Sequence, residues 1–220
     1  MSIAALIVAA GRGTRAGGEI PKQYQALGGK PVIYHTINAM LAHDMIDKVI
    51  VAIHPADHEL FDCATREIDD PRFKGAVFGA QTRSKSVCVG LESIDTEYVL
   101  IHDGARPLLP HDTLSRVIDE VQIKGGAFCA LPITDAIWSV SDGMAIDAQP
   151  RDRFWRAQTP QAFKTSRILA AHRNQDAPAD DDVAIARRAG MDVSVVLGSE
   201  RNIKITHTPD FALAEKLLRE

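Results

Sequence analysis

The chain has 220 residues, 45% of them hydrophobic and 25% charged, with a formal net charge of −4. That length carries one domain with a sizeable core, and the mild acidity argues against a non-specific nucleic-acid platform. No apolar run approaches the roughly 20 residues that span a bilayer, and the opening residues Met1 to Leu6 show neither a basic region nor a cleavage site, so a cytoplasmic protein with no membrane partner is expected.

The apolar run Ile3–Ala9 predicts a buried first strand that ends at Ala10-Gly11. Pro31 opens a helical pattern with Ile33, Ile37, Met40 and Leu41 on one face. Lys48–Ile53 is a second strand, followed by a helix over 57–68 and a short strand at 76–78. A helix over 84–94 places Val87, Leu91 and Ile94 together, and a strand follows at 98–102. The helix over 113–124 turns Leu114, Val117, Ile118 and Val121 inward, ahead of a strand at 127–131. This alternation implies an α/β fold: mostly parallel strands, helices on both faces, and a ligand crevice at the carboxyl edge of the sheet.

The rhythm breaks between Pro132 and Arg153. Two short extended runs, 137–140 and 145–146, flank Ser141-Asp142-Gly143, which is a hairpin signal. The piece has few core-like residues and is expected to project from a single domain of 220 residues as an arm that a partner subunit covers. Helices over 166–171 and 181–189, the second stopped by Gly190, strands over 193–197 and 202–206, and a last helix from Pro209 complete the chain. Cys63, Cys88 and Cys129 lie in apolar stretches without metal-ligand spacing and are expected to be buried, reduced thiols.

Chemistry concentrates in the loop after the first strand, Ala9-Ala10-Gly11-Arg12-Gly13-Thr14-Arg15-Ala16. Glycines let the backbone approach a phosphate closely, and Arg15 and Lys22 bring positive charge. Three readings are open. The first is a plain strand-to-helix turn with solvated basic residues. The second is a dinucleotide fingerprint, but the second strand ends at Ile53-His54-Pro55 without the acid that motif needs. The third is a nucleoside triphosphate loop completed by a later lysine, which Pro21-Lys22-Gln23-Tyr24 fits best. No Gly-Lys-Ser/Thr closes the run, so a Walker A loop is excluded.

Together with Pro21-Lys22-Gln23-Tyr24, the glycine loop resembles the 2-C-methyl-D-erythritol 4-phosphate cytidylyltransferase family of the non-mevalonate isoprenoid pathway, and the resemblance runs along essentially the whole chain. It implies a Rossmann-like fold of the nucleotide-diphospho-sugar transferase type. It also implies transfer of a cytidylyl group from CTP to 2-C-methyl-D-erythritol 4-phosphate, with pyrophosphate released and Mg²⁺ held mainly by the CTP phosphates. Ala9, Ala10, Gly11, Gly13, Arg15 and Lys22 would meet the nucleotide, with Arg15 and Lys22 stabilising the α-phosphate. The stretch Gly79-Ala80-Gln81-Thr82-Arg83-Ser84-Lys85-Ser86 resembles the family's cytosine and ribose loop, which assigns Ala80, Gln81 and Ser86 to the nucleotide; a polar helix start explains Ser84 and Ser86 equally well. The family more often has a second glycine at 80.

His102-Asp103-Gly104-Ala105-Arg106-Pro107 matches the segment where Asp103 and Arg106 would surround the polyol phosphate and Gly104 the nucleotide. An Asp–Arg pair stabilising a turn is the alternative. In the arm, Arg151 and Thr159 match residues of the acceptor pocket, Arg151 reaching the neighbouring subunit's substrate, which implies a homodimer with shared sites. Lys204, in Asn202-Ile203-Lys204-Ile205-Thr206, matches a lysine that positions the attacking phosphate; Arg15, Lys22, Arg151 and Lys204 thus form the implied catalytic set. Ala136 and Trp138 depart from the usual threonine and lysine, which keeps a different acceptor such as ribitol 5-phosphate in view. The acids at 180–182 are read as a helix cap, not a metal site.

Overall fold

The computed structural model describes residues 1–11, 20–175, 177 and 179–220. Seven strands form the main sheet: β1 (Ile3–Ala9), β4 (Lys48–Ile53), β5 (Phe73–Phe78), β6 (Tyr98–Asp103), β7 (Gly126–Pro132), β10 (Trp155–Lys164) and β11 (Ser194–Leu197). Their order is β11-β7-β10-β6-β1-β4-β5. Every neighbouring pair is parallel except those of β10, which runs antiparallel to both β6 and β7. A mostly parallel α/β sheet is thus the observed class, as the alternation predicts.

The helices fall on two faces, which explains why β1 and β6 read as unbroken apolar runs. Ile3, Ala5 and Ile7 of β1 pack toward α1 (Val32–Leu41), α2 (His58–Thr65) and α4 (His111–Lys124), through Ile37, Phe61 and Val117. Ala4 and Leu6 face the other way, toward α3 (Arg83–Glu92), α5 (Thr165–Arg173) and α6 (Asp182–Arg188), through Leu91, Ile168 and Ile185. A small hairpin of β2 (Ala26–Leu27) and β3 (Lys30–Pro31) turns at Gly28-Gly29 and packs with α7 (Thr208–Arg219) around Leu27, Ile205 and Ala214. The turn at Gly28 is tight on both sides: its φ is +57°, and an added Cβ would stand 2.5 Å from Leu218 Cδ2.

The Asp-Gly hairpin forms. Strands β8 (Ile137–Ser141) and β9 (Met144–Gln149) pair only with each other, turning at Asp142-Gly143, where both φ angles are positive, as a two-residue hairpin of the Asp-Gly kind requires.

Three expectations are corrected. The segment 155–164 is a full strand, not merely a return from the arm. A proline inside a strand argues against one, but here the register against β7 shifts between Ala157 and Gln161 and takes up Thr159-Pro160. Conversely, 202–206 is not a strand. Its amides are used one by one outside any ladder: Ile203 N–H donates to Arg201 O, Ile205 N–H to Ala105 O across the fold, and Thr206 N–H to the side-chain Asp210 Oδ2. Of the cysteines only Cys129 is buried, its thiol pushed up to about 12 by desolvation; Cys88 is half-buried and Cys63 exposed.

Candidate active site

The carboxyl ends of β1, β4 and β6 open into a cleft of about 370 Å³. One wall is Ala9, Ala10 and Gly11. Gln23, buried in the 3₁₀ turn Lys22–Tyr24, donates its amide to Ala9 O at 2.8 Å and Gly11 O at 3.0 Å, so the strand end is clamped where the glycine loop begins. Beside it Lys22 reaches into the cleft, with Nζ 2.6 Å from Ile205 O. Gly13 and Arg15, both assigned above to the nucleotide, lie outside the described residues.

The facing wall is the loop from Gly79 to Thr82. Gly79 approaches so closely that an added Cβ would be 2.7 Å from Ala10 Cβ and 2.8 Å from Ser86 Oγ. Ser86 is buried; its hydroxyl accepts from Ala80 N–H at 2.9 Å and faces Ala80 O and Thr82 O at 3.1 and 2.9 Å. It therefore shapes the loop that presents Ala80 and Gln81. Ala80 has no left-handed backbone, so the alanine in place of a glycine needs no strained path. Thr82 caps α3 by accepting from Lys85 N–H.

Asp103 is the acid of the cleft. Its Oδ2 lies 2.8 Å from Lys204 Nζ and 3.5 Å from Arg106 Nε, and its Oδ1 lies 3.6 Å from Arg83 Nε. Burial alone would raise this carboxyl; Lys204, Arg83 and Arg106 outweigh it and hold it well below the usual carboxylate range. The backbone beneath is fixed by a polar chain. Asp103 N–H donates to Thr159 Oγ1 at 3.0 Å. His102 Nε2 faces the carbonyl of Arg106 at 3.1 Å, so it carries the proton, and Nδ1 accepts from the Thr159 hydroxyl at 3.0 Å. Desolvation pushes this imidazole down to about 4, against the pull of Arg106 O and Asp103, so it is neutral. Arg106 Nη1 donates to Asn202 O, and Asn202 Nδ2 to Thr159 O, which anchors the segment carrying Lys204.

The structure thus gathers Ala9, Ala10, Gly11, Lys22, Ala80, Gln81, Ser86, Asp103, Gly104 and Lys204 around one cleft. Arg106 and Thr159 sit behind Asp103 and are not among its lining residues. Arg151 is on the exposed arm base, its guanidinium bonded to Thr134 O, and does not line this chain's own cleft. Gln23, His54 and Arg83 line it as well; Arg83 lies within the Gly79–Ser86 stretch, but its partner Asp182 is remote in sequence, so no local pattern marks it.

The family model described as 2-C-methyl-D-erythritol 4-phosphate cytidylyltransferase matches residues 3–220. The chain belongs to that family. A protein of that name from Cereibacter sphaeroides is 44% identical over 99% of this chain and 97% of its own length. A bifunctional IspD/IspF enzyme of Rhodobacter capsulatus is also 44% identical, with this chain spanning 57% of it. The cytidylyltransferase structure from Thermus thermophilus superposes with a TM-score of 0.83 at 31% identity, covering both chains fully. A synthase structure from Anaerococcus prevotii gives 0.87 at 27%, over 100% of this chain and 99% of that one. The cytidylyltransferase membership agrees with the geometry: a glycine-walled cleft, two lysines and one carboxylate at the ligand edge of the sheet.

Proposed function

We propose that this enzyme transfers the cytidylyl group of CTP to 2-C-methyl-D-erythritol 4-phosphate, giving 4-diphosphocytidyl-2-C-methyl-D-erythritol and pyrophosphate. The observation that carries the reading is the convergence of Lys22 and Lys204 on one cleft between the glycine wall and Asp103. Both reactants are anions, so the chemistry needs charge neutralisation and in-line alignment more than a made nucleophile. The acceptor phosphate oxygen attacks the α-phosphorus, and the bond to the β-phosphate oxygen breaks. Lys22, with Arg15, stabilises charge at the α-phosphate, and Lys204 exchanges Asp103 for the incoming phosphate. Preorganised cations of this kind are worth about 3 kcal/mol each in a transition state.

A divalent cation belongs to the same proposal. Asp103 is the one carboxylate among the described lining residues, and its oxygens already face Lys204, Arg106 and Arg83. Mg²⁺ is therefore assigned to the triphosphate oxygens and water, where it offsets substrate charge. A homodimer is proposed too, on the exposed arm and the distance of Arg151 from its own cleft. No helix among the described residues is long and apolar enough to cross a membrane, and a cytoplasmic location completes the reading.

The test is pyrophosphate release from CTP and Mg²⁺ with methylerythritol phosphate or ribitol 5-phosphate as acceptor. Faster release with methylerythritol phosphate is expected. A preference for ribitol 5-phosphate would move the enzyme to another acceptor, and would make Ala136 the first place to look.

A further inference from the structure

Arg83 is shared between two carboxylates. Its Nη2 donates to Asp182 Oδ2 at 2.8 Å, while its Nε lies 3.6 Å from Asp103 Oδ1. Asp182 is fully buried and does not line the cleft. It is fixed from several sides: its own N–H and that of Val183 donate to Gln161 Oε1 of β10 at 2.9 and 3.1 Å, and His172 Nε2 of α5 lies 3.1 Å from its Oδ1. The neighbouring Asp181, not Asp182, caps α6 by accepting from Ala184 N–H. Helix capping therefore leaves the Asp182 carboxylate unexplained. A buried charge is costly to retain, and breaking its pair leaves the other ion to find a new partner.

The closer of the two Arg83 contacts lies behind the cleft and the looser one faces Asp103. That leaves Lys204, at 2.8 Å, as the close partner of Asp103. We infer that Asp182 is a positioning residue for acceptor binding: it holds the Arg83 guanidinium back, so that Asp103 stays out of a fork-to-carboxylate pair, releases Lys204 to the incoming phosphate and presents its carboxylate to the hydroxyls of the polyol phosphate. Without the Asp182 charge, the nearest anion for Arg83 is Asp103. A direct fork-to-carboxylate pair is then favoured, and it occupies the oxygens the acceptor needs.

This role rests on the reaction proposed above, so the wild-type protein is assayed first; an inert wild type would overturn the reaction and this role together. In an active enzyme, Asp182→Asn should raise the KM for methylerythritol phosphate about tenfold while the KM for CTP stays within about threefold. Arg83→Lys keeps the charge but has no fork to bridge both carboxylates, and should give the same selective rise. The double variant should be no worse than the worse single one, because both act through one contact. A folded Asp182→Asn enzyme with an unchanged acceptor KM, or with both KM values raised equally, overturns the inference. Arg83→Lys with a wild-type acceptor KM does so as well, and stands even where Asp182→Asn fails to fold.

Discussion

His102, next to last in β6, lies out of reach of water, with both ring nitrogens bonded inside the protein. Its native pKa of about 4 lies below the 6.5 of an unperturbed ring. Between those values the unfolded chain binds a proton that the native state refuses, so stability is full above about 6.5 and falls as the pH drops toward about 4. The difference between the two ends amounts to about 3 kcal/mol. Asp103 adds to the loss at still lower pH, since a carboxyl held below its ordinary value stabilises only while ionised. Urea midpoints between pH 7 and 4.5 should therefore fall steeply for the wild type and less steeply for His102→Gln, which has no ring to titrate; equal slopes would rule the ring out. At this scale, the family resemblance singled out Lys22, Asp103 and Lys204, which the fold brings to one cleft; residue type alone would have left Lys204 as a surface charge. Arg83 and Asp182 were not legible as a pair: they lie 99 residues apart and meet only because α3 and α6 pack on the same face of the sheet.

Loops at strand ends decide where those charges stand. Gly79 follows β5, and its amide donates to Ile53 O at 2.7 Å while the residue faces Ala10 and Ser86. Gly79→Ala would push a methyl group to 2.7 Å from Ala10 Cβ, so either the Gly11 wall or the Ser86 loop must give way. The expected result is a loss of about 1–3 kcal/mol in unfolding free energy, together with a raised KM for CTP. Wild-type CTP affinity in this variant would show that the two walls move freely. Strands β1, β4, β6 and β7 were legible because each buries a nearly unbroken apolar run, and the longer helices because each buries a single face. Strand β10 was hidden by Pro160 and by the polar Gln158, Thr159 and Gln161. Those side chains are buried for a purpose that pattern cannot show: they bond Ser199 O, Asp103 N–H and the amides that open α6.

The whole molecule carries one projection with an exposed apolar face. Trp138, Val140, Met144 and Ile146 of the arm are each more than half exposed, and an isolated two-stranded hairpin is marginal in water. Arg151 stands at the base of this arm, outside its own cleft. If the arm crosses to a second copy of the chain, Arg151 completes the partner's site, and damage to it can be repaired in trans. Lys22→Ala and Arg151→Ala should each be nearly inactive as pure proteins. Unfolded, mixed in equal amounts and refolded, they should form mixed dimers in which one cleft has its own Lys22 and the partner's Arg151. Random pairing places half of the chains in mixed dimers with one competent site of two, so about a quarter of wild-type activity should return. A mixture as inactive as its parents would mean that Arg151 serves its own chain or none, and the arm would then be an interface without a share in the chemistry.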